Sequence, residues 1–309
     1  MPAVAALVAL TASAALTALA LLALALLAPS ASGAPSSPAS DRPVSVVAGE
    51  NTWGSVAAQI GGRDARVTSI LTSPTADPHL YEATAADAAK VAQAQLVIVN
   101  GADYDYWLTQ LVTATSHPGR RVVKVSRVLH LTGATVNPHF WYDVPKIPKV
   151  AAAIEAALAR VAPRDRSVFA ANLAAFDRSL RPLDAVVAEI RSRHRDAPVA
   201  YTEPVPGYLI EAAGLDNETP QGFAMAIEDG TEPSPAATLA MDQLLTRHKV
   251  RALLYNVQTV SSVTTGVRAL ARRNGIPVVA VAETLQPQYR TLQAMLLADA
   301  KSLLRALGS

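Results

Sequence analysis

The chain has 309 residues, a net charge of only +2 and no cysteine. Disulfides, thiolate metal sites, cysteine nucleophiles and lipid attachment through cysteine are excluded on that composition. The near balance of charge, without a dense basic block, gives nucleic acid no electrostatic footing as a partner.

The first charged residue is Asp41, and an apolar run from about Ala3 to Ala28 precedes it, densest over Leu21–Leu27. Small residues and proline follow at 29–35. This pattern predicts an exported chain whose residues 1–33 are a signal peptide cleaved near Ser32–Pro35, or else a retained membrane anchor. No Lys or Arg precedes the run, and the run is long enough to span a bilayer, which keeps the anchor in play. Residues 34–42, rich in Pro, Ser and Ala, read as a linker.

From residue 43 onward, short β-branched runs alternate with alanine-rich helical stretches. Strands are predicted at Val44–Ala48, Arg66–Leu71, Leu96–Val99 and Val122–Val125. Helices are predicted at Trp53–Ile60 and Ala85–Ala94, the latter opened by Thr84 and Asp87 in a capping-box spacing. Asn100-Gly101 reads as a turn. The same alternation restarts late, with strands at Val199–Thr202, Ala252–Tyr255 and Val278–Val281. The late helices are Ala236–Arg247, Val260–Arg273 and Gln288–Leu307. Such alternation predicts an α/β fold with parallel sheets. Between the halves, Phe169, Leu173, Phe176, Leu180, Leu183, Val187 and Ile190 recur at spacings of three and four, one apolar stripe of a long helix. The expected organisation is an N-terminal lobe over 43–162, a connecting helix over 163–195 and a C-terminal lobe over 196–309. A helix packed inside a single domain is the alternative.

Of six histidines, two stand in a distinctive setting: Asp77-Pro78-His79-Leu80-Tyr81-Glu82 and Asn137-Pro138-His139-Phe140-Trp141. Each follows proline, which stiffens the approach. Each falls in a strand-to-helix loop, where open α/β sheets place ligands. A single loop histidine is ordinarily just solvated, and so are Glu203 and Glu283 on their own residues. His117 and His130 lie in turns and read as solvent-facing. His194 and His248 lie at helix ends, where a cation suits the dipole.

The two histidine motifs together resemble those of the zinc- and manganese-binding substrate-binding proteins of bacterial ABC importers. Tyr201-Thr202-Glu203-Pro204, Leu254-Tyr255-Asn256-Val257-Gln258 and Val281-Ala282-Glu283-Thr284-Leu285 extend the resemblance into the C-terminal half. Gly61-Gly62 and Asn100-Gly101-Ala102-Asp103-Tyr104 also fit it. The match covers roughly residues 43–306. It implies two Rossmann-like lobes joined by a rigid helix, with a metal site in the cleft made of His79, His139, Glu203 and Glu283. It also implies an extracytoplasmic, non-enzymatic, monomeric protein that captures one divalent cation and delivers it to a permease and an ATPase encoded elsewhere. Asp77, Tyr81, Glu82 and Asn256 are expected to support the ligands. Glutamate at 203, where a third histidine would mark the zinc type, places Mn2+ ahead of Zn2+ as cargo and Fe2+ third, since carboxylate oxygens are harder ligands. An exported metallohydrolase and a metal-binding surface adhesin are the competing readings. The sequence contains no H-E-x-x-H, G-x-S-x-G or phosphate-binding G-x-x-x-x-G-K-[ST] motif.

Overall fold

A computed structural model describes residues 42–308, with 116, 132 and 134 excepted. The leader and linker expectations, over residues 1–41, lie outside the described residues. Among the described residues no helix is long and apolar enough to cross a membrane.

Two four-stranded sheets, parallel throughout, form the frame. The first contains β1 (Val44–Glu50), β2 (Ala65–Leu71), β3 (Leu96–Val99) and β4 (Arg121–Lys124) in the order β2-β1-β3-β4. The second contains β5 (Pro198–Tyr201), β6 (Asp216–Asn217), β7 (Ala252–Asn256) and β8 (Val278–Val281) in the order β6-β5-β7-β8. Both sheets therefore switch direction between their first and third strands, and the crevice beyond the carboxyl ends at such a point is where ligands bind. The central strands β3 and β7 are buried along their whole length. Helices covering both faces of a parallel sheet demand such continuous apolar runs.

In chain order the helices are α1 (Asn51–Gly61), α2 (Ala85–Gln93), α3 (Tyr106–Ala114), α4 (Val125–Leu129), α5 (Ile147–Val161), α6 (Arg166–Arg193), α7 (Gly207–Ala212), α8 (Gln221–Glu228), α9 (Pro235–Thr246), α10 (Ser262–Arg273) and α11 (Leu292–Leu307). The capping box at Thr84 and Asp87 is formed in both directions. Two predicted helices start late because a side chain caps them. Ser261 caps α10 through Thr264, and Thr291 accepts from the Ala294 N–H to begin α11. An N-cap residue stands outside the helix, so residues before it are excluded.

The 28-residue α6 runs about 42 Å at 1.5 Å per residue. Its stripe of Phe169, Phe176, Leu180, Leu183, Val187 and Ile190 is buried, and α6 packs on α1, α5 and α11. The result is one apolar core that runs from the first sheet through α6 into the second. The closing helix α11 also reaches back to the first sheet's helix. The Leu292 N–H donates to Ser55 Oγ at 3.1 Å, and the Gln293 amide donates to Gln59 Oε1 at 2.6 Å. Lobes joined in this way share interior contacts, so hinge opening would expose core.

Candidate metal centre

The two histidine loops are built by local rules. After β2 the chain enters a single 3-10 turn, Pro78–Leu80. Pro78 presets its backbone, and Asp77 Oδ1 accepts the His79 N–H at 2.9 Å. The loop is also held from the second sheet's side. Gln258 Nε2 donates to the Ala76 carbonyl at 2.9 Å, and Thr284 Oγ1 donates to that of Ser73 at 2.9 Å.

The His139 loop hangs on Asn100, just past β3. Asn100 Nδ2 donates to the Pro138 carbonyl at 2.8 Å, while its Oδ1 accepts from Trp53 Nε1 at 2.9 Å. The backbone N–H groups of Asn100 and Gly101 both donate to the Asp105 carboxylate at 2.7 Å. Asn137 fixes the imidazole itself. Its Nδ2 donates to the Pro204 carbonyl at 2.7 Å, so its Oδ1 faces His139 and accepts from both the backbone N–H and ring Nδ1, the latter at 2.7 Å. With Nδ1 carrying the proton, Nε2 presents a lone pair to the cleft.

The carboxylates come from the carboxyl ends of the second sheet. Glu203 lies two residues past β5 and Glu283 two past β8, at 1% and 0% exposure. Burial at this level requires a compensating charge or protonation of the carboxyl group. Asn256, the last residue of β7, bridges them, its Nδ2 donating to Glu203 Oε2 and, at 2.8 Å, to Glu283 Oε1. Gln258 Oε1 accepts the N–H groups of Glu283 and Thr284 at 2.8 and 3.0 Å. Tyr104 adds a hydroxyl donor to Glu283 Oε2 at 2.9 Å. It is delivered by three consecutive left-handed residues, Gly101, Ala102 and Asp103. A Cβ at Gly101 would lie 2.3 Å from Ser126 Oγ, so that turn needs glycine.

Across the cleft the four side chains meet. His79 Nε2 and His139 Nε2 are each 3.3 Å from Glu283 Oε2, and His79 Nε2 is 3.7 Å from Glu203 Oε1. Donor atoms held about 2.0–2.2 Å from one ion stand about 3.3–3.6 Å apart in a tetrahedron, so these separations suit a shared cation. Among the described residues, His79 Nε2 and Glu203 Oε1 are buried without a hydrogen-bond partner, atoms for which a cation would be the missing partner.

The ionisation states follow from this crowding. Burial alone would lower the His79 pKa, but Glu283, Glu228 and Glu203 reverse the effect and raise it to about 10. Burial and the charges of Glu283 and Glu228 raise Glu203 to about 8. Burial opposes ionisation of Glu283, yet His139 and His79 hold its pKa well below the usual carboxylate range. A divalent cation placed here would compete with the proton on His79 for the same carboxylates.

The structure thus brings His79, His139, Glu203 and Glu283 together, with Asp77 and Asn256 beside them. Tyr81 and Glu82, expected as supports, are not there. Tyr81 turns away to stack on Trp107 and donates to Asp87, and Glu82 is exposed, because the chain runs extended after the 3-10 turn. His117 is half-buried rather than solvent-facing, and His130 and His248 are exposed. None of these, nor His194, belongs to a cluster able to hold a metal among the described residues. Two site residues were not singled out by sequence. Tyr104 depends on the left-handed turn. Glu228 ends α8, a helix marked only by the apolar spacing of Phe223, Ala224 and Ile227 before Asp229-Gly230.

Residues 46–306 match the family described as zinc-uptake complex component A, periplasmic (ZnuA). The chain belongs to this family. It is 25% identical over 157 residues to the manganese-binding lipoprotein MntA of Bacillus subtilis (strain 168), a match covering 47% of this chain and 49% of that protein. It is 30% identical over 169 residues to the zinc-binding protein TroA of Treponema pallidum (strain Nichols), covering 51% and 54%. The matched stretch spans about half the length of these curated relatives. In fold it resembles the SBP FpvC of Pseudomonas aeruginosa, solved in complex with Mn2+, with a TM-score of 0.72 at 22% identity over 86% of this chain and 99% of that one. The family resemblance, and the two-lobed α/β fold expected from the strand–helix alternation, the long striped helix and that resemblance, are both borne out.

Proposed function

We propose that this family member is an extracytoplasmic capture protein that binds one divalent transition-metal ion through His79, His139, Glu203 and Glu283. It would surrender the ion to a membrane permease driven by a separate ATPase. The observation that carries the reading is the convergence of two imidazoles and two buried carboxylates from opposite sides of one cleft, with ligand atoms left unpartnered. Two neutral imidazoles and two carboxylates neutralise a 2+ ion, which makes the loaded site electrically balanced. The relatives' names, one manganese-binding and one zinc-binding, support the class of cargo. Carboxylate at 203 supports Mn2+ over Zn2+ as the physiological ion, although zinc binds nearly any N/O site more tightly by intrinsic order. The division into lobes at 43–162 and 196–309 around a connecting segment at 163–195 is part of this reading.

The test uses purified protein titrated with MnCl2 or ZnCl2. It should take up about one equivalent, and at free metal about 100-fold above Kd gain about 2.7 kcal/mol of stability, read as a higher melting temperature. Combining His79→Ala with Glu203→Ala should remove both effects. Stoichiometric binding that survives in the double variant overturns the assignment.

A further inference from the structure

Glu228 is not among the four residues above, yet its side chain is only 9% exposed, and its Oε1 lies 3.9 Å from His79 Nε2. Its other oxygen, Oε2, is buried with no hydrogen-bond partner among the described residues, as is Glu203 Oε1 opposite. The donor atoms of His79, Glu203 and Glu228 all lie within 4.8 Å of one another. The site therefore contains two overlapping triads that share His79. In the inner one, His79, His139 and Glu283, the carboxylate accepts hydrogen bonds from Tyr104 and Asn256. The outer one faces a cleft of about 520 Å³, which His79 and Glu228 both line.

We infer that Glu228 is a fifth metal-binding residue and the one that discriminates between cargoes, engaging an ion that takes five or six ligands and standing aside from a tetrahedral one. The inference rests on the capture reading. Burying a third carboxylate in a site already neutral toward a 2+ ion costs desolvation. That cost is offset where the carboxylate ligates the metal. Mn2+ accepts a larger shell of oxygen ligands and is the weaker binder, so an added anionic oxygen raises its affinity most. Zn2+, content with four ligands, gains little from a donor set slightly farther out. Glu228 ends α8 and lines the cleft together with Asp103 and Asp229, so the approach to the site is acidic.

The experiment compares wild type, Glu228→Gln and Glu228→Asp in chelator-competition titrations with MnCl2 and with ZnCl2. Glu228→Gln should weaken Mn2+ binding about 10- to 100-fold and Zn2+ binding by less than about threefold. Glu228→Asp, a shorter carboxylate, should fall between for Mn2+. X-ray absorption on the Mn2+-loaded proteins should show a coordination number lower by about one in Glu228→Gln. Unchanged affinity for both ions in Glu228→Gln overturns the inference. So does an equal loss for both ions in a variant whose metal-free melting temperature matches wild type. Should Glu228→Gln fail to fold, Glu228→Asp carries the same comparison. Wild-type protein that binds neither ion would overturn the capture reading itself, whereas wild-type binding with an indifferent Glu228→Gln overturns only the role of Glu228.

Discussion

His79 and His139 stand on similar Pro-His loops, but the protein holds them differently. The His139 ring is fully buried between Tyr104 and Trp141, its Nδ1 tied to Asn137 and its loop tied to Asn100. His79 is 20% exposed at the cleft, its ring nitrogen partnered only by carboxylates at ion-pair distance. Beyond the Asp77 cap, the His79 loop takes its outside support from Gln258, Thr284 and Gln286 on the second-sheet side. The His139 loop is anchored on both sides, by Asn100 past β3 and, through Asn137, by Pro204 and Tyr208 across the cleft. The His79 loop has only the Asp77 cap on its own side and is otherwise held from the second-sheet side, so separating the two sides would take away most of the support of His79 but only part of that of His139.

Deleting each imidazole separates the two roles most sharply. His139→Ala and His79→Ala should each weaken metal binding by more than about 100-fold, beyond the loss typical of a supporting residue. Their metal-free stabilities should differ. Removing the buried His139 leaves a cavity and an unpaired Asn137 and should cost about 2–4 kcal/mol, while His79→Ala should cost clearly less. Thermal melts in excess chelator measure this. Equal losses would mean that the two loops are equivalent parts of the scaffold.

The next effect is on pH, and its sign follows from the ionisation states. His79 has its pKa raised to about 10 in the metal-free site, so at neutral pH the ring is protonated and must release that proton to bind metal. Affinity therefore rises with pH up to about 10, and falls about tenfold for each unit below. Below about pH 8, Glu203 also takes up a proton, and the fall steepens toward about 100-fold per unit. Titrations at about pH 6.5 and about pH 8.5 should show this, and His79→Ala should flatten the slope by about one proton. An undiminished slope in His79→Ala would move the titrating group elsewhere.

Much of this was legible in the sequence, for definite reasons. Periodicity exposed the parallel strands and the α6 stripe because each element buries a continuous face. Thr84 and Asp87 announced their own capping box. The histidines were visible because Pro-His at a strand-to-helix loop is a local pattern. Glu203 and Glu283 stood out only through family likeness, since their place beside the histidines depends on burial that the second sheet and Asn256 create from far along the chain. Glu228 was hidden for the same reason: it is an ordinary helix-end glutamate until the fold sets it against His79. Tyr104 required a run of left-handed residues, and non-glycine residues enter that region too rarely to be read from composition.

The smallest expected effect compares the two asparagine- and aspartate-based braces. Asn137→Ala frees the His139 ring and also removes the bond to Pro204 across the cleft, so metal affinity should drop about 10- to 100-fold. Asp77→Ala removes only the cap on the His79 N–H, a loss of about 0.5–2 kcal/mol in loop order, while Gln258 and Thr284 still hold the loop from the other side. Its effect on affinity should be only a few-fold, with the change concentrated in a faster metal off-rate measured by chelator chase. The outcome depends on where the support for His79 resides. If Asp77→Ala costs as much as Asn137→Ala, His79 is braced from within its own loop, and the lobes could part without loosening it. A small cost places its support across the cleft, and ties the hold on the metal to the closure of the two sides.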